Sequence, residues 1–334
     1  LKLYYDLNIG EVSSSAKTIF NLVPKNTIPK NFSLPSFFTI RGAAKGTTKI
    51  VNTNLKLTST LGDAAVIAKL DMRRKNREIY NVKANLQNLQ IGKIIQNNKV
   101  GAITAQIEAK GESFDFKNAN ADLKGVVQSA YFNGYRYQNM NLAGKINRGV
   151  YNIVLNSKDP NANLQLTASG KYDDKNPTVK VNGNINKLDL NKLGFYQSPM
   201  IIAGSVDGDF TSLDPDNLNG YLNLKDFAIS DTKEVYPIQE VNLTALSTAD
   251  STKINFKSQI ADIGLSGKYR LTQIFGALQQ TVNQYYQFQK PGKVQKIEGG
   301  QFFTFNAKIK NDDLIRKFVP ELKSFETINI NGNY

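Results

Sequence analysis

The chain has no cysteine, no histidine and no tryptophan in 334 residues. Without cysteine there are no disulfides and no thiolate metal sites. Without histidine the commonest general base and the commonest metal ligand are both missing. No apolar run approaches the roughly 18 residues of a membrane-spanning helix. Negative charge is also scarce: 28 Asp and Glu stand against 42 Lys and Arg, a formal net charge of +14. That balance favours anionic partners, whether nucleic acid, acidic polysaccharide or a phospholipid surface. The opening LKLYYDLNIGE reads as a strand with no signal peptide, and the closing INGNY as a strand in progress. The expectation is a fragment of a longer chain.

The motifs that usually carry chemistry fail on spacing. VDGDFTSLDPDN brings Asp207, Asp209, Asp214 and Asp216 together, but a calcium loop needs a bidentate Glu at a set offset, which is absent. YDDKN at 172–176 and NDD at 311–313 read as turn or cap chemistry. GAAKGTTK at 42–49 is one residue short between its glycines for a phosphate loop, and no helix pattern follows. The remaining carboxylates are scattered, with no partner for an activated serine. The expectation is no enzyme, no cofactor and no metal. MRRKNRE at 72–78 is the densest basic run. It reads as a charged hairpin turn, or as a contact for anionic headgroups or nucleic acid. YFNGYRYQN at 131–139 is the only dense basic and aromatic interleaving, too isolated for a single-strand binding groove.

What is abundant is alternation. From Leu142 to Tyr172 every second residue lies in one set: Leu142, Gly144, Ile146, then Tyr151, Ile153, Leu155, then Leu164, Leu166, Ala168, Gly170. The residues between are Lys, Asn, Gln, Thr and Ser, so these are strands with one apolar and one wet face. Shifting the chain by 99 sets Leu86 on Ile185, Leu89 on Leu188, Ile91 on Leu190 and Ile103 on Ile202, and it sets Asn118 on Asn217. The organisation is therefore a repeat array. It divides into 1–76 as a partial repeat, 77–176 and 177–270 as repeats, 271–299 as a helical insert, and 300–334 as the start of a further repeat. The turn signals predict about eight short strands per repeat, roughly 38 Å of ribbon at ~4.8 Å each. IGKIIQN and LNKLGF predict short helical turns.

By the same alternation the apolar face takes Ile103, Ile107, Leu123, Tyr135, Tyr137, Leu142, Ile146, Tyr151, Ile153, Leu155, Leu164 and Leu166 in one repeat. In the next it takes Ile185, Leu188, Leu190, Ile202, Val206, Phe210, Leu222, Leu224, Leu243, Ile254, Phe256 and Leu265. Glycine and alanine interrupt that face often. Either glycine marks bends in a coiled sheet, or the face is not filled by the protein itself. The expected fold is all-β, an elongated repeat β-trough with an apolar concave face. One amphipathic helix is expected at 271–289 from the spacing of Leu271, Ile274, Phe275, Leu278, Val282 and Tyr285. It would either pack on the sheet or act as a gate over the apolar face.

The stretch ADLKGVVQSAYFNGYRYQNMNLAGKINRGVYNIVLNSKDPNANLQLTASGKYDDKNPTVKVNGNINKLDLNKLGF resembles the repeats of the TamB family, of the AsmA-like superfamily and the Bacteroidetes type. NGYRYQNMNL and NSKDPNANLQLTASGKYD carry the likeness. The resemblance implies a periplasmic protein that spans from inner to outer membrane, anchored in the inner membrane outside this sequence. It implies a hydrophobic β-groove conducting phospholipids beside a BamA/TamA-class barrel, with the apolar residues above as its lining and no catalytic residues. The alternative it leaves is a translocation and assembly factor for outer-membrane proteins. No nucleic acid partner is expected.

Overall fold

A computed structural model of the chain describes residues 4–22, 31–274, 300–319 and 323–334. It divides into two compact units. The first holds residues 1–169 and 185–201, the second 170–184 and 202–334. The fold is all-β and antiparallel, as the alternation requires.

The first unit opens with β1 (Tyr4–Ser15) and a short helix α1 (Ala16–Leu22). There follow β2 (Phe37–Thr47), β3 (Ile50–Ser59), β4 (Asp63–Asp71) and β5 (Ile79–Gln90). After the one-turn helix α2 (Ile91–Ile94) come β6 (Val100–Glu112), β7 (Asn120–Phe132), β8 (Tyr135–Asn147) and β9 (Val150–Lys158). Each strand pairs with its chain neighbour, from β1 with β2 to β8 with β9. β9 pairs with β8 and with the strand that follows it, Ala162–Lys171, and not with β1, so the meander is open. Asn133-Gly134 and Arg148-Gly149 make two-residue hairpins with positive φ at both positions (48° and 86°; 47° and 80°). Those values suit the mirror-image turn that matches strand twist.

β10 (Ala162–Lys171), β11 (Thr178–Asp189) and β12 (Ile201–Ser212) follow. The second unit continues with β13 (Asn219–Ser230), β14 (Val235–Ser247), β15 (Thr252–Ser258), β16 (Ala261–Lys268), β17 (Phe302–Ile309) and β18 (Ile328–Asn333). These six also pair in chain order. The helix α3 (Asp313–Phe318) stands between β17 and β18. The order strand, short helix, strand seen in β5–α2–β6 recurs there.

One sequence expectation needs correction. Over each 99-residue repeat the chain makes six strands of 7 to 13 residues, β5–β10 and β11–β16, not eight short ones. Several residues that signal turns lie inside continuous strands. Asn88 adopts a φ of 48° at a bulge of β5, and Asn139 a φ of 53° inside β8, whose register with β7 continues unchanged. A bulge places one extra residue in a strand without ending it. LNKLGF forms one hydrogen-bonded helical turn, as read from the sequence. Leu193 N–H donates to the Asp189 carbonyl at 3.0 Å, and Gly194 (φ 76°) ends the turn.

Among the described residues no closed core of large apolar side chains forms. Among the described residues the largest wholly buried side chains are Leu193, Asp159 and Ser113. A closed sandwich would bury its Leu, Ile and Phe to crystal-like density. Here they stay mostly half-buried on one sheet face.

Candidate functional site

Register turns that face into a surface. One row across the first unit reads Ile9, Gly42, Leu55, Val66, Ala84, Ile107, Gly125, Leu142, Leu155, one residue from each of nine strands. The adjacent row reads Leu7, Ala44, Thr53, Ala68, Val82, Ala109, Leu123, Gly144, Ile153. Ile146 pairs with Tyr151 in a third row, and Tyr137 shares the face opposite Ala130, itself opposite Ile103. Small residues recur beside larger ones, so the face is corrugated but continuous. Residues one step away point to the other side: Asn81, Lys83, Glu108, Lys110, Asp122 and Lys145. Lys83 bonds Glu108 at 2.8 Å and Lys110 reaches Asp122 at 3.5 Å. Such exposed cross-strand pairs hold register more than they stabilise.

Of the sequence candidates in this unit, Ile103, Ile107, Leu123, Tyr135, Tyr137, Leu142, Ile146, Tyr151, Ile153 and Leu155 lie on this single face. The bulge explains how Leu86 and Leu89, three residues apart, both stay on it. They oppose Ala105 and Ile103, which are two apart. On β10 and β11, the side chains of Asn163 and Asn186 bond at 3.0 Å. Leu164 and Ile185, one residue further, therefore point to the opposite side, and Leu166 follows Leu164 by alternation. Leu188 closes β11 half-buried, and Leu190 opens the following turn.

In the second unit, Leu222, Leu243, Phe256, Ile263, Ala307 and Ile330 form one row. Gly220, Ala245, Ile254, Leu265, Phe305 and Gly332 form the next, and Leu224 opposes Val241. A Cβ at Gly208 would touch Leu222 and Val181, which puts β12 residues Ile202, Val206 and Phe210 on the same side by alternation. Residues 271–274 are helical, with the Asp216 carboxylate accepting from Thr272 N–H at 2.9 Å. Leu271 and Ile274 belong to that turn. Phe275, Leu278, Val282 and Tyr285 lie outside the described residues.

The acidic cluster is explained by its own partners. Asp209 reaches Lys180 at 3.5 Å, Asp207 accepts from Asn182, and Asp214 caps the 3-10 turn Pro215–Asn217 through Asp216 N–H at 3.0 Å. GAAKGTTK runs along β2 into its turn and forms no phosphate-binding loop.

The glycine question has two answers. Gly42 and Gly220 adopt φ of 132° and 143°, where only glycine is comfortable, and a Cβ would lie 2.0 and 2.1 Å from a neighbouring carbonyl oxygen. These mark bends. Gly208 is likewise filled by its neighbours. At Gly125 and Gly144 the nearest atom to an added Cβ is 4.0 and 3.9 Å away, so each site has room for a Cβ in ordinary van der Waals contact.

Sequence reasoning missed the extension of the face over β1–β5, with Leu7, Ile9, Leu55, Val66 and Val82, and over β17–β18, with Phe303, Phe305, Ile328 and Ile330. Their signal was the same alternation. It also missed Asp159, which is wholly buried at the edge of the face. Its carboxylate accepts from the Tyr135 hydroxyl and from the N–H groups of Gln138 and Asn161, each at 2.8 Å, and from Ala162 N–H at 3.0 Å. Burial, then the bond to Asp159, raises the Tyr135 hydroxyl pKa. Burial likewise raises those of Tyr80, Tyr137 and Tyr151. Leu123, Ile263 and Ile330 remain 38 to 48% exposed on the faces.

Comparison of the chain with protein-family models, curated proteins and solved structures finds no match.

Proposed function

We propose that this chain is a section of a bridge-like lipid transfer protein of the cell envelope, whose apolar sheet face carries the acyl chains of phospholipids between inner and outer membrane. The observation that supports this reading is the unbroken apolar face of the nine-strand meander, left half-exposed although the opposite face is charged and wet. Ordinary exposed apolar patches cover only a few hundred Å². Moving a phospholipid through water exposes two acyl chains, on the order of 20 kcal/mol at ~0.8 kcal/mol per methylene. A continuous apolar surface lowers that cost along its whole length. The absent side chains at Gly125 and Gly144 leave room for chains that have no fixed shape.

The test is uptake of a fluorescent phospholipid by the purified chain, with mass spectrometry of an organic extract. Saturable uptake and co-purified phospholipid support the reading. An intact fold by circular dichroism with neither result sinks it. Outer-membrane barrel protein in place of lipid moves the assignment to an assembly factor.

A further inference from the structure

The connections at one end of β2–β9 are 48–49, 72–78, 113–119 and 148–149. Backbone bonds of 2.7 Å stitch them together: Met72 N–H to the Lys49 carbonyl, Ser113 N–H to Glu78, and Arg148 N–H to Ala119. Eight strand ends at ~4.8 Å make a lip on the order of 35 Å wide. Phe114, Ile79 and Val150 stand there with 62, 58 and 53% exposure. Phe114 stacks on Tyr80 at 5.0 Å and Phe116 tilts against Tyr151 at 6.5 Å, so these two rings continue the apolar face, while Ile79, opposite Glu112, and Val150, opposite Asn147, edge the lip on its charged side. In the last three loops six cations, Arg73, Arg74, Lys75, Arg77, Lys117 and Arg148, outnumber Glu78 and Asp115. Arg73 is held by Asp71 and Arg77 by Glu112. Arg74, Lys75 and Arg148 have no ion-pair partner among the described residues.

The next repeat provides an internal control. Its turn at 212–217 reproduces the one at 113–118 bond for bond. Asp115 N–H donates to Ser113 Oγ at 3.2 Å, and Asp214 N–H to Ser212 Oγ at 3.3 Å. Asn118 and Asn217 donate to the same two aspartates at 2.6 and 2.8 Å. Leu213 N–H, one residue past the counterpart of Ser113, bonds the carbonyl of Pro177, the counterpart of Glu78. Yet Asp173-Asp174 replaces Arg73-Arg74, Asp216 replaces Lys117, and TADS at 248–251 replaces Arg148-Gly149. Five aspartates there face Lys175 alone. One backbone frame accepts either sign, so folding does not require the basic charge of 72–148.

We propose that this lip docks the first unit on an anionic phospholipid bilayer. Its cations lie against the phosphates, and Phe114, Ile79 and Val150 enter the boundary between headgroups and acyl chains. That boundary suits the exposed Ile79 and Val150, whereas a nucleic acid strand is held by free aromatic faces in a basic groove, and here Phe114 is already stacked on Tyr80 and Phe116 set against Tyr151. The inference goes beyond lipid carriage and stands or falls separately from it.

The experiment is co-sedimentation of the full chain with phosphatidylcholine vesicles, with and without phosphatidylglycerol, at low and high salt. Wild type should bind the anionic vesicles and release with salt. The triple variant R74Q/K75Q/R148N should bind roughly tenfold or more weakly. K175Q/K233Q/K253Q loses the same charge elsewhere and should stay within about twofold. F114S should lower the salt-resistant fraction. Equal loss in the two triple variants, or none in the first, overturns the proposal. So does tighter binding to a single-stranded oligonucleotide than to vesicles. Self-association lost in R74Q/K75Q/R148N, with vesicle binding kept, would make the lip a contact between copies instead. Uptake of fluorescent phospholipid in vesicle-free solution should be unchanged in R74Q/K75Q/R148N, which separates this result from a failure of the groove itself.

Discussion

The hydroxyl of Tyr135 donates to the carboxylate of Asp159 at 2.8 Å, and that carboxylate is wholly buried. Three backbone N–H groups complete the site, so the β9–β10 connection is tied to β8 by one aspartate. Removing it strands those donors out of water. Asp159→Ala should cost roughly 2–4 kcal/mol, and Tyr135→Phe about 1 kcal/mol, in urea denaturation. Equal small losses would show that the bond is incidental.

Glycine substitutions should separate bends from sites with room for a Cβ. Gly220→Ala puts a Cβ 2.1 Å from the Asp209 carbonyl oxygen at a φ of 143°. It should cost roughly 1–3 kcal/mol or more. Gly144→Ala meets nothing nearer than 3.9 Å and should change stability by less than about 1 kcal/mol. Gly144→Leu should keep the fold and reduce phospholipid uptake. Paired melting curves and uptake assays decide the matter.

Two apolar residues of β7 give a matched comparison. Leu123 lies on the apolar face between Ala109 and Gly144, whereas Val126 lies on the wet face between Gln106 and Asn141. Both are more than a third exposed. Leu123→Asp should abolish most lipid uptake at modest cost to stability, because a carboxylate on the chain path stays hydrated. Val126→Asp should be silent in the same assay. Equal effects would remove the distinction between faces on which the proposed function depends.

Tyr269 is buried edge-on against Phe303, and its hydroxyl has no hydrogen-bond partner among the described residues. Burial pushes its pKa up to about 12. The raised value means that the neutral form is favoured on folding. That stability is present below pH ~10 and is lost as pH rises toward about 12. Tyr269→Phe should leave stability unchanged or raise it by about 1 kcal/mol near neutrality. It should also flatten the alkaline loss. Spectrophotometric tyrosine titration should lose its latest-ionising component in the variant.

How far the molecule was legible in its sequence varies by element. The faces were legible because side chains in a strand alternate with period two, whatever the strand pairs with. That is why Leu142, Gly144 and Ile146 could be sided without coordinates. The strand count was not, because Asn88 and Asn139 carry a turn signature that a continuous strand also accommodates, at Asn88 as a bulge. Asp159 sits in DPNAN, whose letters signal no more than a turn. Its burial depends on Tyr135 and Gln138, more than twenty residues earlier, and no local pattern encodes that distance. Gly42 and Gly144 look alike as letters. The first is pressed on Asn54 of the next strand while the second leaves room for a Cβ in ordinary contact, a difference made wholly by the neighbour.

The sequence by itself determined the all-β class, the 99-residue recurrence, the absence of cysteine and histidine chemistry, and which side of each strand is apolar. These are local or compositional properties. Only the tertiary structure decided the register, and register is long-range. It sets Ile9 and Leu155 in one row, brings three separate loops into one basic and aromatic lip, and leaves the apolar face half-exposed instead of folding it into a core.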